Sequence, residues 1–224
     1  MPSPTEYLNS LLLVPVTLLP IINPLGTAAI FTATAGGNEM MARQLARQVA
    51  INSMFILVAS MLVGTYVLEL FGISIPIVRI GGGLLVAASG WRMLNSTDDD
   101  EVKNAVQRSQ RSDLTHAQIV KLSFFPLTFP LTTGPGTIAA SIAIGAGLPR
   151  TPALYVASAV VALIGAALTV AVIYLVYRNA SRLMARLGEV GALVMTRMMA
   201  FVLLCIGIEI AWTGWAELNG IGGR

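Results

Sequence analysis

The residues with the most chemistry to offer in this chain are small, neutral and polar. Asn23 and Thr27 stand in Pro20-Ile21-Ile22-Asn23-Pro24-Leu25-Gly26-Thr27-Ala28-Ala29, and Thr132, Thr133 and Thr137 stand in Pro130-Leu131-Thr132-Thr133-Gly134-Pro135-Gly136-Thr137-Ile138-Ala139. Laid over each other without a gap, the two stretches match at Pro20/Pro130, Gly26/Gly136, Thr27/Thr137 and Ala29/Ala139. Each lies inside a long apolar run, where this much proline and glycine marks a helix that stops and restarts. At membrane depth, interrupted backbone is tolerated only if it is buried in protein or lines a cavity. Pro24 suits the first position of a restarted helix with Asn23 as N-cap, and Pro135 does so behind Gly134 or Thr133. Two restarts would aim free N–H groups and partial positive charge at a common centre, favouring an anionic group such as an amino acid's carboxylate. Gly26, Gly134 and Gly136 would let backbone approach a small ligand. The expected substrate-binding set is therefore Asn23, Pro24, Gly26, Thr27, Thr132, Thr133, Gly134, Gly136 and Thr137.

The remaining candidates are charges inside apolar runs, which are costly in lipid and therefore candidates for function. Arg79 and Arg197 each sit near one end of a span, where snorkelling, capping of a facing loop or gating all fit. Glu209 lies deeper, at a depth like that of Arg79, and is expected to pair with it or to act in proton coupling. Enzymatic chemistry is not expected. The apolar runs hold no histidine, no paired carboxylates and no G-x-S-x-G or H-E-x-x-H motif, so neither cofactor nor metal is predicted.

The elements that must position these residues follow from composition. Of 224 residues, 55% are hydrophobic and only 11% charged, and the mean hydropathy is +0.76. Soluble domains carry about 25% charged residues, so the chain is read as a polytopic membrane protein whose net charge of +3 signals no nucleic acid. One cysteine, Cys205, excludes an intrachain disulfide. The first ten residues lack a basic n-region and a cleavage signal, so the first apolar segment is expected to be retained.

Six segments are long enough to span, from about Leu8 to Ala35, Val49 to Phe71, Ile75 to Leu94, Ile119 to Gly147, Ala153 to Tyr177 and Gly191 to Gly214. Gly36-Gly37 reads as a C-cap closing the first. The basic connections, carrying Arg43 and Arg47, then Arg92 to Lys121, then Arg178, Arg182 and Arg186, all fall on one side. By the positive-inside rule that side is cytoplasmic and both termini are outside. Each half contains a broken helix, a plain helix and a helix with an arginine one turn in. Three spans per half require the halves to insert upside down relative to each other. The expected fold is all-α: residues 1–94 as one three-helix repeat, 95–118 as a polar cytoplasmic loop, and 119–224 as the inverted second repeat.

Asn23-Pro24-Leu25-Gly26, Phe71 to Pro76, Arg79 to Val86, Gly90 to Leu94 and Gly134 to Ile138 together resemble the MarC family of bacterial and archaeal inner-membrane proteins, over nearly the whole chain outside the polar loop. The resemblance implies six spans in a LysE-like transporter group and, by analogy with some members, transport of small neutral amino acids such as glycine or alanine across the inner membrane. Import or export, the coupling ion (proton or sodium) and homo-oligomerisation stay open at this point. The alternatives are a passive channel and a structural membrane protein that transports nothing.

Overall fold

A computed structural model describes residues 4–36, 38–95, 116–148 and 152–221. The acidic run of the polar loop, with Lys103, Arg108 and Arg111, lies outside the described residues. Within them the chain is helical, with no strand.

Helix α1 (Pro4–Ile22) runs through Pro15 and Pro20 to the first break, after which α2 (Ala28–Thr34) is a short return to helix. Gly36 then takes a left-handed φ of 61°, the conformation a C-cap glycine supplies without steric cost. Helix α3 (Glu39–Leu70) is 32 residues long and begins ten residues before the expected apolar run. Hydropathy reads only the part of a helix that lipid can cover. Here Asn38 Oδ1 caps the polar start by accepting from Met40 N at 2.9 Å and Met41 N at 3.2 Å. Helix α4 (Ile75–Asn95) matches its expected span.

The second half opens with α5 (His116–Leu122), continues as a more widely wound segment over Ser123–Thr132, and restarts as α6 (Pro135–Ala146). Helix α7 (Pro152–Arg178) is continuous. Helix α8 (Ala180–Leu218) breaks at Gly188, where φ is 66° and ψ is 177°.

Among the described residues, four continuous helices are long and apolar enough to cross a bilayer: Glu39–Leu70, Ile75–Asn95, Leu154–Arg178 and Val190–Leu218. Ile119–Thr132 and Pro135–Ala146, bent by 68°, form a fifth crossing if taken as one span. The first segment, expected to be broken, is in two pieces: α1 ends at Ile22 and α2 begins only at Ala28, after the break. Much of the outer surface is apolar, with Phe55 77% and Leu70 82% exposed. An apolar patch of this extent needs lipid or another covering surface.

Packing is closest between α4 and α8, whose backbones touch. A Cβ on Gly83 would fall 2.6 Å from Gly207 O, one on Gly90 2.5 Å from Leu204 N, and one on Gly214 2.6 Å from Pro76 O. Early residues of α4 thus meet late residues of α8, so the helices run antiparallel, held by the small-residue contact that serves helix association in lipid. The two arginines clasp the ends of this pair. Arg197 Nη1 donates to Met93 O at 2.6 Å and Leu94 O at 2.5 Å, capping α4, whereas Arg79 pairs with Glu217. The expected Arg79–Glu209 pair is therefore corrected: in this antiparallel register Glu217, eight residues further along α8, is the carboxylate within reach. Of the three readings open for Arg197, the contacts are those of a cap.

Candidate functional site

The first break is built by Asn23. It closes α1 by donating its N–H to Leu19 O at 2.8 Å, then turns into the left-handed region at φ 49°, which asparagine tolerates better than most side chains. Its Oδ1 accepts from Gly26 N at 3.1 Å. Asn23 therefore does cap the turn, but no helix restarts at Pro24. Thr27 N bonds Asn23 O at 3.2 Å and Ala28 N bonds Leu25 O at 3.3 Å, so residues 24–27 form turns and α2 begins only at Ala28. The expectation of a helix N-terminus at Pro24 is corrected for this reason. The side chain of Asn23 is 5% exposed and its Nδ2 has no hydrogen-bond partner. Such a buried donor costs free energy unless something accepts from it.

The second break is wound differently. Thr128 Oγ1 reaches Ser123 O at 2.6 Å and Thr132 Oγ1 reaches Leu127 O at 2.7 Å, each five residues back. Phe125–Pro126 and Phe129–Pro130 are cis. Thr133 then donates its N–H to Thr128 O at 2.7 Å and its hydroxyl to the same carbonyl at 3.1 Å. Gly134 is extended, and Pro135 opens α6 as expected, at its first turn. Ile138 N, on Gly134 O at 3.1 Å, is the first N–H of α6 to find a helical carbonyl. The N–H groups of Gly136 and Thr137 stand ahead of it without a backbone acceptor among the described residues.

Both breaks line one cavity of about 570 Å³. Asn23 and Thr27 come from the first, and Thr132, Gly134, Gly136 and Thr137 from the second. Pro24, Gly26 and Thr133 do not line it. Gly26 acts from behind, since a Cβ there would lie 2.8 Å from Asn23 Cγ and displace the amide. Arg92, in the last turn of α4, lines the same cavity and donates to Ser89 Oγ at 3.5 Å. Apart from that guanidinium, the lining is apolar or neutral. The donors gathered there, an amide, an arginine and a helix N-terminus, suit an anionic group.

A second cavity, of about 630 Å³, is lined from α6 by Ala139, Ala140, Ala143 and Ile144, together with Arg79 and Glu209. Glu209 has no ion pair among the described residues; its carbonyl accepts from Thr213 Oγ1 at 2.9 Å. Successive turns of α6 thus face one cavity and then the other. No group of histidine, cysteine or carboxylate side chains that could hold a metal occurs among the described residues.

Sequence reasoning missed two residues. Arg92 read as one more basic loop charge, and Tyr177 as the end of a span. Tyr177 is 1% exposed, and its hydroxyl lies 2.9 Å from Thr27 Oγ1 and 2.9 Å from Thr132 Oγ1. Its ring stacks on Phe31 with centroids 4.5 Å apart and planes at 7°. No local pattern around Tyr177 signals this, because the partners lie in two other parts of the chain.

The inner membrane protein MarC of Escherichia coli strain K12 is 34% identical over 215 residues, covering 91% of this chain and 92% of the relative. The protein of the same name from Shigella flexneri matches to the same extent. No solved structure matches this one. The sequence model described as MarC family integral membrane protein matches residues 8–218, and the chain belongs to that family.

Proposed function

We propose that this protein is a secondary transporter, an exporter or exchanger, of small neutral amino acids such as glycine or alanine. The observation that carries the reading is the one cavity walled by both breaks: it is lined by Gly136 and Thr137, whose N–H groups have no backbone acceptor among the described residues, and by Asn23, whose buried Nδ2 has no partner among them. A carboxylate would accept from Asn23 Nδ2, Gly136 N and Thr137 N, with Arg92 at the same cavity. An ammonium would find the hydroxyls and the carbonyls released at the breaks. With no carboxylate in the lining, a cationic ligand would have no counter-charge there.

Access would alternate between the two cavities that α6 separates. The proposed frame is two inverted three-helix repeats giving six crossings, α1 with α2 making the first, both termini outside and the polar loop cytoplasmic. Helix pairing supports it: the second helices of the halves, α3 and α7, pack together, as do the third, α4 and α8. Glu209, in the second cavity, is the proposed proton-coupling group, with sodium as the competing coupling ion.

Labelled-alanine counterflow in liposomes reconstituted with the purified full chain tests the proposal. Saturable exchange, with a half-saturating alanine concentration about tenfold higher in Asn23→Ala, is the expected result. Equal flux in protein-free liposomes, or no flux for any small neutral amino acid, would overturn it. Flux that never exceeds equilibration under any imposed proton or sodium gradient would point instead to a channel.

A further inference from the structure

We infer that Tyr177 is the positioning residue that joins the two breaks into one site; the inference rests on the binding reading above and adds to it a residue that does not itself line the cavity. Its phenol stands between Thr27, which follows the first break, and Thr132, which ends the segment before the second, at 2.9 Å from each. Both threonines line the cavity wall. Tyr177 reaches them from the last turn of α7, an element that belongs to neither break.

Proton counting makes the link specific. Three hydroxyls supply three protons, while Leu127 O lies 2.7 Å from Thr132 Oγ1 and Asn23 O lies 3.1 Å from Thr27 Oγ1. Two chains satisfy both contacts of the phenol while also placing its own proton. One runs Thr27 to Tyr177 to Thr132 to Leu127 O, and the other runs Thr132 to Tyr177 to Thr27 to Asn23 O. In either, the phenol donates to one threonine and accepts from the other, and the chain ends on a carbonyl at a break. Such chains polarise their members and lose more than one contact when one is removed. The stack on Phe31 holds the ring against α2, so α2, both breaks and α7 share one fixed point. Separation of the two cavity walls requires the phenol to release at least one threonine.

Hydrogen–deuterium exchange on the detergent-solubilised full chain tests this without any ligand. Tyr177→Phe keeps the ring and its stack while removing the hydroxyl. Peptides covering residues 23–28 and 128–134 are both expected to exchange about fivefold to tenfold faster, the scale of losing one net hydrogen bond, while peptides from α4 and α8 stay unchanged. Acceleration of one break alone, or of neither, overturns the inference. If Tyr177→Phe loosens the whole molecule, Thr27→Val decides instead. It should speed exchange at 128–134 in the native background and add nothing there when Tyr177 is already Phe; an effect confined to its own break overturns the link. Alanine counterflow with the native protein reconstituted into liposomes separates the two proposals, because coupled hydrogen exchange without counterflow leaves the bridge standing and removes the transport reading.

Discussion

The two breaks carry matching prolines, glycines and threonines, yet they present different groups to the cavity they share. The first ends in a left-handed asparagine and a turn, so the N–H groups of Asn23, Gly26, Thr27 and Ala28 bond locally and a side-chain amide lines the ligand space. The second ends in an extended glycine followed by proline, so α6 starts at once and its leading N–H groups remain open. The one-residue difference in what precedes the proline, Asn23 against Gly134, decides this. An asparagine can both adopt positive φ and bond the backbone three residues on, which competes with helix initiation. Glycine has no side chain with which to do so.

The matched glycines give the sharpest way to break this comparison. A Cβ on Gly136 would run into Val86 Cγ2 of α4, and a β-branched side chain in a helix has little rotamer freedom to retreat. Gly136→Ala should therefore destabilise by about 1–3 kcal/mol, the usual scale of overpacking, read as a lower melting temperature in detergent. Gly26→Ala, at the equivalent position, meets only the Asn23 side chain, so its stability should change less. Its main effect should be weaker alanine affinity as the amide is displaced. A similar loss of stability in both would mean that the breaks are structurally alike after all.

Next in size, Asn23→Ala should weaken alanine binding about tenfold, the value of roughly one hydrogen bond to a charged group, measured by titration of the purified protein. Smaller again is the contrast between Thr137→Val, expected to weaken binding by about fivefold on the same scale, and Thr133→Ala. The Thr133 hydroxyl is turned to Thr128 O and is absent from the cavity wall, so binding should be unaffected there. Least of all, Arg79→Gln removes a partly exposed ion pair and should cost less than about 1 kcal/mol. Arg197→Gln should cost more than Arg79→Gln in thermal unfolding, because it leaves two carbonyls at the end of α4 without their cap.

What could be read beforehand was what depends on local pattern. Proline and glycine inside apolar runs marked both breaks, and Gly36 marked the end of α2. That Gly83 of α4 meets Gly207 of α8, and Gly214 of α8 meets Pro76, was not legible, because the contact depends on antiparallel register rather than on spacing within one helix. Register also explains why Arg79 meets Glu217 rather than Glu209. The restart expected at Pro24 comes instead at Ala28, because Asn23 Oδ1 bonds Gly26 N and residues 24–27 form turns. Tyr177 stayed hidden for a related reason: a tyrosine at the end of a span is an ordinary interfacial residue until two distant hydroxyls are brought to it.

The account's central claim is that one ligand touches both breaks at once. Alanine titrated into the native protein and into variants altered at Asn23, at Thr137 and at both measures this directly. Each single change is expected to weaken binding, and the double change to cost clearly less or more than the product of the two, since both side chains face the same ligand. Binding that survives both changes at native strength, or losses that multiply independently, would contradict it.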